Sequence, residues 1–535
     1  MTAEFAVISK ALAAVCGNVR DGVLADFPGS NAQKASIEAL ESANEPVGAG
    51  GEAGEGQARG GRADGPVGSV GPVGPETRSF VALPGSTAEA AGVMRVAAEH
   101  ELAVVVRGGG SRLEWGTPAS RCDVVIDMSR MSGVIEHAAG DLVARVQAGA
   151  RMGDVAAVLA QAGQEIALDV PDDATIGGIV GSGLAGPRRL RYGTPRDLLI
   201  GITIVRADGT VAKSGGKVVK NVAGYDLGKL FAGSAGTLGL ITEATFRLHP
   251  LPAARAYVTA EYVAVSVACD AVAAAANSPL VSSAVELSRA EPGGPIRVGV
   301  LLEGSVDGVG ARSMRMADLL GRGEVAADPP VWWPGAPQAD PGEALIRVSF
   351  WVSALSRVLD AIDEAAGKSG VSPVIEGSAG AGVLYVRVAP GRQDGSIAQT
   401  SASIEAESAN EPEREAGAGA VAESGAGGGG AGAAVGGAGA VAEFVAALRG
   451  AGGGGAGAAV GGAGAVAEFV AALRGAVAGE RGAVAVLAAP AAVREELAGR
   501  GGMSGTVPGL ALMRAVKDQF DPGHRLAPGR FPGYC

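Results

Sequence analysis

The chain has 535 residues, which is enough for two or three domains, and its formal net charge is −12. An acidic chain repels phosphate backbones, so the charge argues against nucleic acid as a partner. Aromatic residues make up only 4% of the chain, while glycine accounts for 88 residues. This composition predicts low-complexity segments in addition to packed core.

The cysteines and the hydropathy pattern bear on metals and location. The four cysteines are widely scattered and form no CxxC pair, so we predict no metal site, no iron–sulfur cluster and no disulfide framework within this chain. Glu4 and Lys10 interrupt the N-terminal apolar stretch, which is typical of an amphipathic helix rather than a signal peptide. No stretch reaches the roughly 20 apolar residues of a membrane span. We therefore predict a cytoplasmic protein without a direct membrane span.

The first 252 residues alternate between patterned and low-complexity sequence. Residues 1–28 carry apolar side chains at helical spacing and predict a helical opening. Residues 29–77 are rich in Gly, Pro, Ala, Glu and Ser, and they cannot bury enough apolar surface to offset their ordering entropy. We predict a disordered insertion there. Residues 78–252 mix short helices and strands without a regular βαβ period, which favours an α+β fold over a doubly wound sheet.

The rest of the chain shows a similar alternation. Residues 253–389 predict the first part of a cap domain, and residues 390–464 predict a second low-complexity insertion. Residues 427–451 recur letter for letter at 452–476. Two copies are too few for a solenoid, so we interpret them as a tandem duplication whose second copy supplies the working helix. A second part of the cap and a C-terminal segment that returns to the first domain complete the division, at residues 465–500 and 501–535.

Three glycine-rich motifs in residues 78–252 have compositions that let backbone approach a ligand closely. The first motif, VVVRGGGSRLEWG (104–116), ends a buried strand in three glycines whose N–H groups can point at phosphate oxygens, although an ordinary glycine turn is an equal alternative. The second motif, DDATIGGIVGSGLAGPRRLRYG (172–193), adds a basic cluster that is either a solvated loop or an anion site. The third motif (215–252) contains the turn SAGTLG ahead of a strand.

In this order and spacing, the three motifs resemble the PCMH-type FAD-binding domain of the vanillyl-alcohol oxidase superfamily. The run KNVAGYDLGKLFAGSAGTLGLITE (220–243) is most similar to the FAD-binding subunits of glycolate oxidases. The resemblance implies a two-lobed FAD-binding domain with a second α+β cap domain. It also implies FAD as cofactor, a small 2-hydroxy acid as substrate, and other subunits of a hydroxy-acid oxidase complex, including an iron–sulfur subunit.

The resemblance also implies which residues bind FAD. The first loop would grip the pyrophosphate, the second would lie along the dinucleotide, and the third would approach the adenosine and ring portions. The cofactor-binding residues carried over in this way are Arg107, Gly108, Gly109, Gly110, Ser111, Thr175, Ile176, Gly177, Gly178, Gly183, Tyr192, Gly193, Gly236, Leu238 and Ile241.

Departures from the family pattern shape the functional prediction. Ser111 stands where relatives with covalent flavin carry His, so the FAD is expected to be non-covalent. Ala235 stands where 2-hydroxy-acid dehydrogenases commonly carry Glu. No histidine lies between Pro250 and Gly523, where such relatives place metal-binding and catalytic histidines, so the catalytic residues are unassigned. We therefore favour an FAD subunit whose partner chains complete catalysis.

Two other functions stay open on the sequence. One is a self-sufficient FAD-dependent oxidoreductase that acts on 2-hydroxy acids or sugar acids. The other is a non-enzymatic scaffold subunit that keeps FAD for stability. Beside the third motif, Lys217, Lys220 and Asn221 are candidates for contact with a substrate carboxylate, with a solvated loop as the competing interpretation.

Overall fold

The computed structural model describes residues 2–23, 78–216, 226–390, 456–480, 482–505 and 507–531. The predicted insertions therefore lie outside the described residues, except for 390 and 456–464, and so do Lys217, Lys220 and Asn221. The strands are β1 (Val19–Val23), β2 (Arg78–Ala82), β3 (Val104–Arg107), β4 (Val124–Asp127), β5 (Val134–Ala138), β6 (Val143–Gln147), β7 (Gln164–Glu165), β8 (Leu199–Val205), β9 (Val211–Gly215), β10 (Leu240–Arg247), β11 (His249–Pro250), β12 (Ala254–Tyr262), β13 (Ala284–Arg289), β14 (Ile296–Gly304), β15 (Glu324–Ala326), β16 (Ala344–Ser349), β17 (Val374–Gly377), β18 (Val383–Val388) and β19 (Ala483–Ala488). The α-helices are α1 (Thr2–Val15), α2 (Thr87–Glu99), α3 (Met152–Ala160), α4 (Ile176–Ser182), α5 (Arg189–Tyr192), α6 (Pro195–Leu198), α7 (Val265–Asn277), α8 (Val306–Leu319), α9 (Leu355–Ser369), α10 (Ala456–Ala478), α11 (Ala491–Ala498) and α12 (Leu510–Phe520).

The first sheet has four strands in the order β1-β2-β4-β3. Strands β2 and β3 both run parallel to β4, and α2 provides the crossover that leads from β2 to β3. The residues Ser86 and Glu89 predict a capped helix that starts at this point, and Ser86 is the N-cap of α2. The Ser86 Oγ accepts a hydrogen bond from the Glu89 N–H at 3.2 Å, and the Glu89 carboxylate accepts one from the Gly85 N–H at 3.0 Å.

The second sheet is antiparallel, with the strand order β5-β6-β10-β8-β9. It shares one hydrophobic core with the first sheet, since Phe80 and Val104 of the first sheet belong to the same buried cluster as Val146 and Phe246 of the second. A shared, close-packed core fixes the two sheets relative to each other. The loops that leave their strand ends therefore have defined positions.

A third, eight-stranded antiparallel sheet follows, with the order β15-β12-β14-β13-β17-β18-β16-β19, and is called the cap sheet below. Helices α7, α8, α9 and α10 cover one face, where Val285 and Leu287 are fully buried. Because side chains alternate along a strand, Glu286 and Ser288 lie on the opposite face. That opposite face is called the polar face of the cap sheet.

Helix α10 starts inside the range predicted as the second insertion. It runs from Ala456, so residues 456–464 are helical although they contain as many glycines as alanines, because the stretch continues a helix whose later turns are buried. Its buried positions Val466, Phe469 and Leu473 come from the second copy of the tandem repeat. The second copy thus provides the helix that precedes β19. Within the described ranges, no helix has both the length and the apolar character needed to cross a bilayer.

The C-terminal segment returns to the first sheet. The Val104 N–H donates to the Arg525 carbonyl at 2.8 Å, and the Ala527 N–H donates to the Val104 carbonyl at 2.8 Å. Phe520, at the end of α12, packs edge-on against Phe231 with 5.5 Å between the ring centroids. Arg525 and Ala527 therefore support β3, the strand that leads into the first glycine motif.

Candidate functional site

The first glycine motif leaves β3 and passes directly against the second motif. A Cβ atom on Gly108 would lie 2.1 Å from the Thr175 Oγ1, and one on Gly109 would lie 3.2 Å from the Asp173 carbonyl oxygen. Real Cβ atoms do not approach other atoms as closely as 2.1 Å, so only glycine fits at the first position. The two motifs, which are far apart in sequence, form one continuous backbone surface.

The N–H groups of this loop are available to a ligand. Among the described residues, the N–H groups of Gly109, Gly110 and Ser111 donate no hydrogen bond to the protein. Gly110 has a φ of +84°, which glycine adopts without strain. The Ser111 hydroxyl is exposed and accepts a hydrogen bond from Arg112 at 3.0 Å. Arg107 pairs with the buried Asp127 at 3.5 Å and so anchors the start of the loop.

In the second motif, the N–H groups of Gly177 and Gly178 already donate hydrogen bonds within the protein. Thr175 is the N-cap of α4, and its Oγ1 accepts a hydrogen bond from the Gly178 N–H at 3.3 Å. The Gly177 N–H donates to the Ala148 carbonyl at 2.7 Å. These bonds hold the start of α4 beside the first loop. The contribution of Gly177 and Gly178 is therefore close approach of backbone rather than free donors.

The third motif meets the other end of α4. The C-cap Gly183 has a φ of +67°, and a Cβ there would lie 3.4 Å from the Gly233 Cα. The Gly233 N–H donates to the Val180 carbonyl at 2.9 Å, and the Ala235 N–H donates to the Gly181 carbonyl at 2.7 Å. Helix α4 therefore joins all three motifs, with the first at its beginning and the third at its end.

Four further predicted residues are placed by turns and core packing. Gly236 has a φ of +76°, as the SAGTLG turn requires of its glycine. The side chains of Ile176, Leu238 and Ile241 are buried in the core shared by the two sheets. At these three positions only the backbone is left to approach a ligand.

A buried lysine ties the third motif to the C-terminal segment. The Lys517 side chain is only 2% exposed, and its ammonium donates to the Thr237 carbonyl at 2.6 Å, to the Leu526 carbonyl at 3.1 Å, and to Asp521. Burial lowers the pKa of Lys517, and the Asp521 carboxylate opposes that effect. The SAGTLG turn is thus held by a residue that lies 280 positions away in sequence.

Together these features fit a ligand that carries phosphate groups. Free N–H donors in a glycine loop bind phosphate oxygens, and the absence of side chains allows a pyrophosphate to approach the backbone. A side chain at Gly108 would overlap Thr175, and one at Gly109 would be in tight contact with the Asp173 carbonyl.

The family comparison agrees with this geometry. A family model described as "FAD binding domain" matches residues 79–215, which contain the first and second motifs in full. Residues 79–215 are an FAD-binding domain. The cofactor of the chain is FAD, and the resemblance drawn from the glycine motifs is confirmed for this domain.

Curated relatives match part of the chain. The glycolate oxidase subunit GlcD of Bacillus subtilis is 34% identical over 38% of this chain and 44% of the relative. The mitochondrial D-lactate dehydrogenase [cytochrome] 1 of Saccharomyces cerevisiae is 34% identical over 41% of this chain and 37% of the relative. The glycolate oxidase subunit GlcE of Escherichia coli is 36% identical over 28% of this chain and 43% of the relative. The chain thus spans less than half the length of each of these relatives.

Solved structures extend the likeness to the whole fold. The structure of p-cresol methylhydroxylase with substrate bound superposes with a TM-score of 0.59 at 15% identity, over 99% of this chain and 97% of that chain. A structure of FgChi7B gives a TM-score of 0.54 at 14% identity, over 85% of this chain and 92% of that chain. At such low identity these matches show the fold alone, and they confirm the predicted α+β, PCMH-type architecture.

The polar face of the cap sheet is turned toward the FAD-binding domain. Arg188, from the basic cluster of the second motif, is buried and bonds Glu165 and Asp169 at 2.7 Å each within its own domain. It also reaches Glu303 of β14 at 3.4 Å. Burial disfavours the charge on Arg188, but the carboxylates outweigh this effect and raise its pKa. The solvated-loop interpretation is therefore wrong for Arg188, because a buried ion-pair cluster joins the domains there.

Two of the predicted FAD-binding residues lie at this domain boundary. The Tyr192 hydroxyl donates to Glu303 at 3.2 Å, and its ring lies 4.8 Å from the ring of His249. Gly193 has a φ of +83°, and a Cβ there would lie 2.6 Å from the Cβ of Asp197. The contacts found for Tyr192 are with the cap sheet and its own domain rather than with the first glycine loop. The roles of Tyr192 and Gly193 in FAD binding stay predictions.

The structure also reveals a side chain that the sequence analysis missed. Glu286 is fully buried on the polar face of the cap sheet, where neither carboxylate oxygen makes a hydrogen bond of normal geometry with the residues that the structure describes, although the Ser378 hydroxyl lies near enough to favour its charged form. The sequence carries no histidine between Pro250 and Gly523 that would point to a base here. The available signal was one carboxylate in the otherwise strand-like run AVELSR (284–289).

Proposed function

We propose that this chain is the FAD-binding subunit of a complex that oxidises small 2-hydroxy acids, as a glycolate oxidase does. The observation that carries the proposal is the FAD-binding domain, whose second motif is bound to the polar face of the cap sheet through Arg188 and Glu303. Relatives named as glycolate oxidase subunits and D-lactate dehydrogenases support the substrate class. An iron–sulfur subunit as electron acceptor and a cytoplasmic location belong to the same proposal.

In the proposed site, this chain would supply binding and charge. The free N–H groups of Gly109, Gly110 and Ser111 would hold the FAD pyrophosphate. When bound, FAD accepts two electrons from the substrate carbon. Arg189 donates to the Tyr385 hydroxyl at 3.0 Å and so lies at the polar face, and Arg191 donates to the Ser283 hydroxyl at 3.3 Å just before β13. They would attract a carboxylate against the net charge of −12.

A self-sufficient enzyme is the second candidate. The buried Glu286 favours it, because a carboxylate in the cap sheet could take the part that histidine plays elsewhere. The residues that the structure describes contain no group of three His, Cys, Asp or Glu side chains arranged to hold a metal ion. Under either candidate, the substrate carboxylate is proposed to bind guanidinium groups, because Arg189 lies at the polar face of the cap sheet.

We expect 2-hydroxy acids to reduce the bound flavin. The tagged chain would be purified from its native host with its co-purifying subunits and mixed anaerobically with glycolate or D-lactate while the flavin absorbance is followed. Loss of the oxidised flavin spectrum at millimolar substrate is the expected result, because hydride loss from the hydroxyl-bearing carbon reduces FAD. A preparation that keeps its yellow colour with both acids would contradict the proposed function. Equal rates for the isolated chain and the complex would favour the self-sufficient enzyme.

We also expect the FAD to be releasable. Ser111 is the residue at the position where covalent relatives carry His, and its exposed hydroxyl accepts a hydrogen bond from Arg112. Purified protein should be yellow, and acid precipitation should leave all of the flavin in the supernatant. Flavin absorbance in the washed pellet would show a covalent link and contradict this prediction.

A further inference from the structure

Glu286 lies on β13, the fourth of the eight strands of the cap sheet. It is fully buried, while its neighbours Val285 and Leu287 point into the helix-covered core on the opposite face. Among the residues that the structure describes it forms no ion pair, and burying a carboxylate without a paired charge is costly because the ionised group loses its solvation. Such a group calls for an explanation beyond fold stability.

Two tryptophans lie near Glu286 on the polar face. Its partner across the strand pair is Gly299 of β14. A Cβ on Gly299 would lie 2.8 Å from an atom of the Trp332 ring and 2.8 Å from an atom of the Trp333 ring, so both indoles lie over this position. Trp333 in turn packs edge-on against Tyr257 with 4.9 Å between centroids. Because paired residues of neighbouring strands share a face of the sheet, both indoles lie on the same face as the Glu286 side chain.

The FAD-binding domain reaches the same part of the cap sheet through Arg189. Its guanidinium donates to the Gly186 carbonyl at 3.2 Å and to the Ala185 carbonyl, just beyond the end of α4, and to the Tyr385 hydroxyl at 3.0 Å. The charge of Arg189 also acts on Glu286. A single arginine therefore links the helix that joins the glycine motifs to the neighbourhood of the buried carboxylate.

We propose that Glu286 is the proton acceptor in the oxidation of the bound 2-hydroxy acid, an inference that rests on the proposed function. The carboxylate of Glu286 takes the proton of the substrate hydroxyl. The C–H bond on the same carbon breaks, its hydride with two electrons reduces FAD, and the C–O bond becomes a carbonyl. The products are a 2-oxo acid, reduced FAD and protonated Glu286, which returns its proton to water. Arg189 is placed to hold the substrate carboxylate.

The electrostatics of the site suit this task. Burial raises the pKa of Glu286 to about 8. The Ser378 hydroxyl and Arg189 act to lower this pKa, while the carboxylates of Asp169 and Glu376 act to raise it further. A base is most effective when its pKa lies near the working pH, and positioned bases typically contribute 10²–10⁴-fold to a rate.

The kinetic test compares the loaded complex with two glutamine variants. In Glu286→Gln, we expect the first-order rate of flavin reduction by glycolate or D-lactate to fall about 10²–10⁴-fold. In the unchanged protein the rate should rise with pH through the region near 8, and this dependence should vanish in the variant. The control Glu261→Gln alters a half-exposed carboxylate of the same sheet that pairs with Arg297, and it should behave as the unchanged protein.

The kinetic outcomes separate this inference from the proposed function. If the unchanged complex is reduced and Glu286→Gln is reduced at the same rate with the same pH profile, Glu286 is not the acceptor, although the proposed function stands. If the unchanged complex is not reduced by either acid, the proposed function fails and the role of Glu286 falls with it.

A second measurement needs no turnover. A carboxyl group whose folded-state pKa is raised keeps its proton in the folded protein where the unfolded chain has lost it, so its contribution to stability declines as pH rises. The melting temperature of the unchanged flavin-free chain should therefore fall relative to Glu286→Gln between about pH 5 and pH 8, and the difference should level off above pH 8. Parallel melting curves would show an ordinary surface-like carboxyl and overturn the inference.

Discussion

Replacing Gly109 with valine should abolish FAD binding while the protein still folds. A Cβ at this position would lie 3.2 Å from the Asp173 carbonyl, and the branched side chain would occupy the space beside the free N–H groups of the first glycine loop. We expect the affinity for FAD to fall at least about 100-fold, which corresponds to about 2.7 kcal/mol of binding free energy. Titration of the flavin-free protein with FAD, followed by fluorescence quenching, measures this loss.

A matched valine substitution distinguishes the ligand-facing loop from an ordinary turn. A Cβ on Gly140, between β5 and β6, would meet no atom within 4 Å, so Gly140→Val should bind FAD as the unchanged chain does. Circular dichroism of Gly109→Val should match that of the flavin-free parent. Normal FAD affinity in Gly109→Val would show that the first glycine loop does not hold the cofactor.

Replacing Lys517 with methionine should destabilise the protein severely. The substitution keeps the length of the side chain but removes the ammonium that is bonded to Asp521 and to the carbonyls of Thr237 and Leu526. The Asp521 carboxylate is fully buried, so it would lose its only described positive partner. Breaking one side of a buried ion pair typically costs about 3–5 kcal/mol. In a domain of about 150–250 residues, a loss of this free energy should lower the melting temperature by roughly 10 °C.

The same substitution at an exposed pair is the control. Lys368 and Glu364 have the same spacing of four residues on a helix and lie 2.6 Å apart, but both side chains are more than 60% exposed. Solvent screens such a pair, so Lys368→Met should leave the melting temperature nearly unchanged. Because Lys517 holds the SAGTLG turn, Lys517→Met should also release FAD more readily. Equal melting temperatures for the two variants would mean that the buried pair does not hold the C-terminal segment in place.

The sequence by itself was sufficient for the features that depend on local chemistry. Three adjacent glycines after an apolar strand require a tight loop, and Ser86 with Glu89 specifies the start of a helix, whatever lies around them. The order of the glycine motifs identified the FAD-binding domain. The second copy of the tandem repeat was recognised as the working helix because a strand follows it directly.

Only the tertiary structure decided which distant groups meet. Whether the Gly177 and Gly178 N–H groups are free depends on Ala148 and on the cap of α4, and neither contact follows from glycine content. The basic cluster looked equally suited to solvent or to an anion, but burial against Glu303 of another domain makes Arg188 part of an ion-pair cluster. In the sequence, Glu286 looks like any polar residue of a strand. Its complete burial could be seen only in the fold, because desolvation is a property of the whole surroundings of a group rather than of its sequence neighbours.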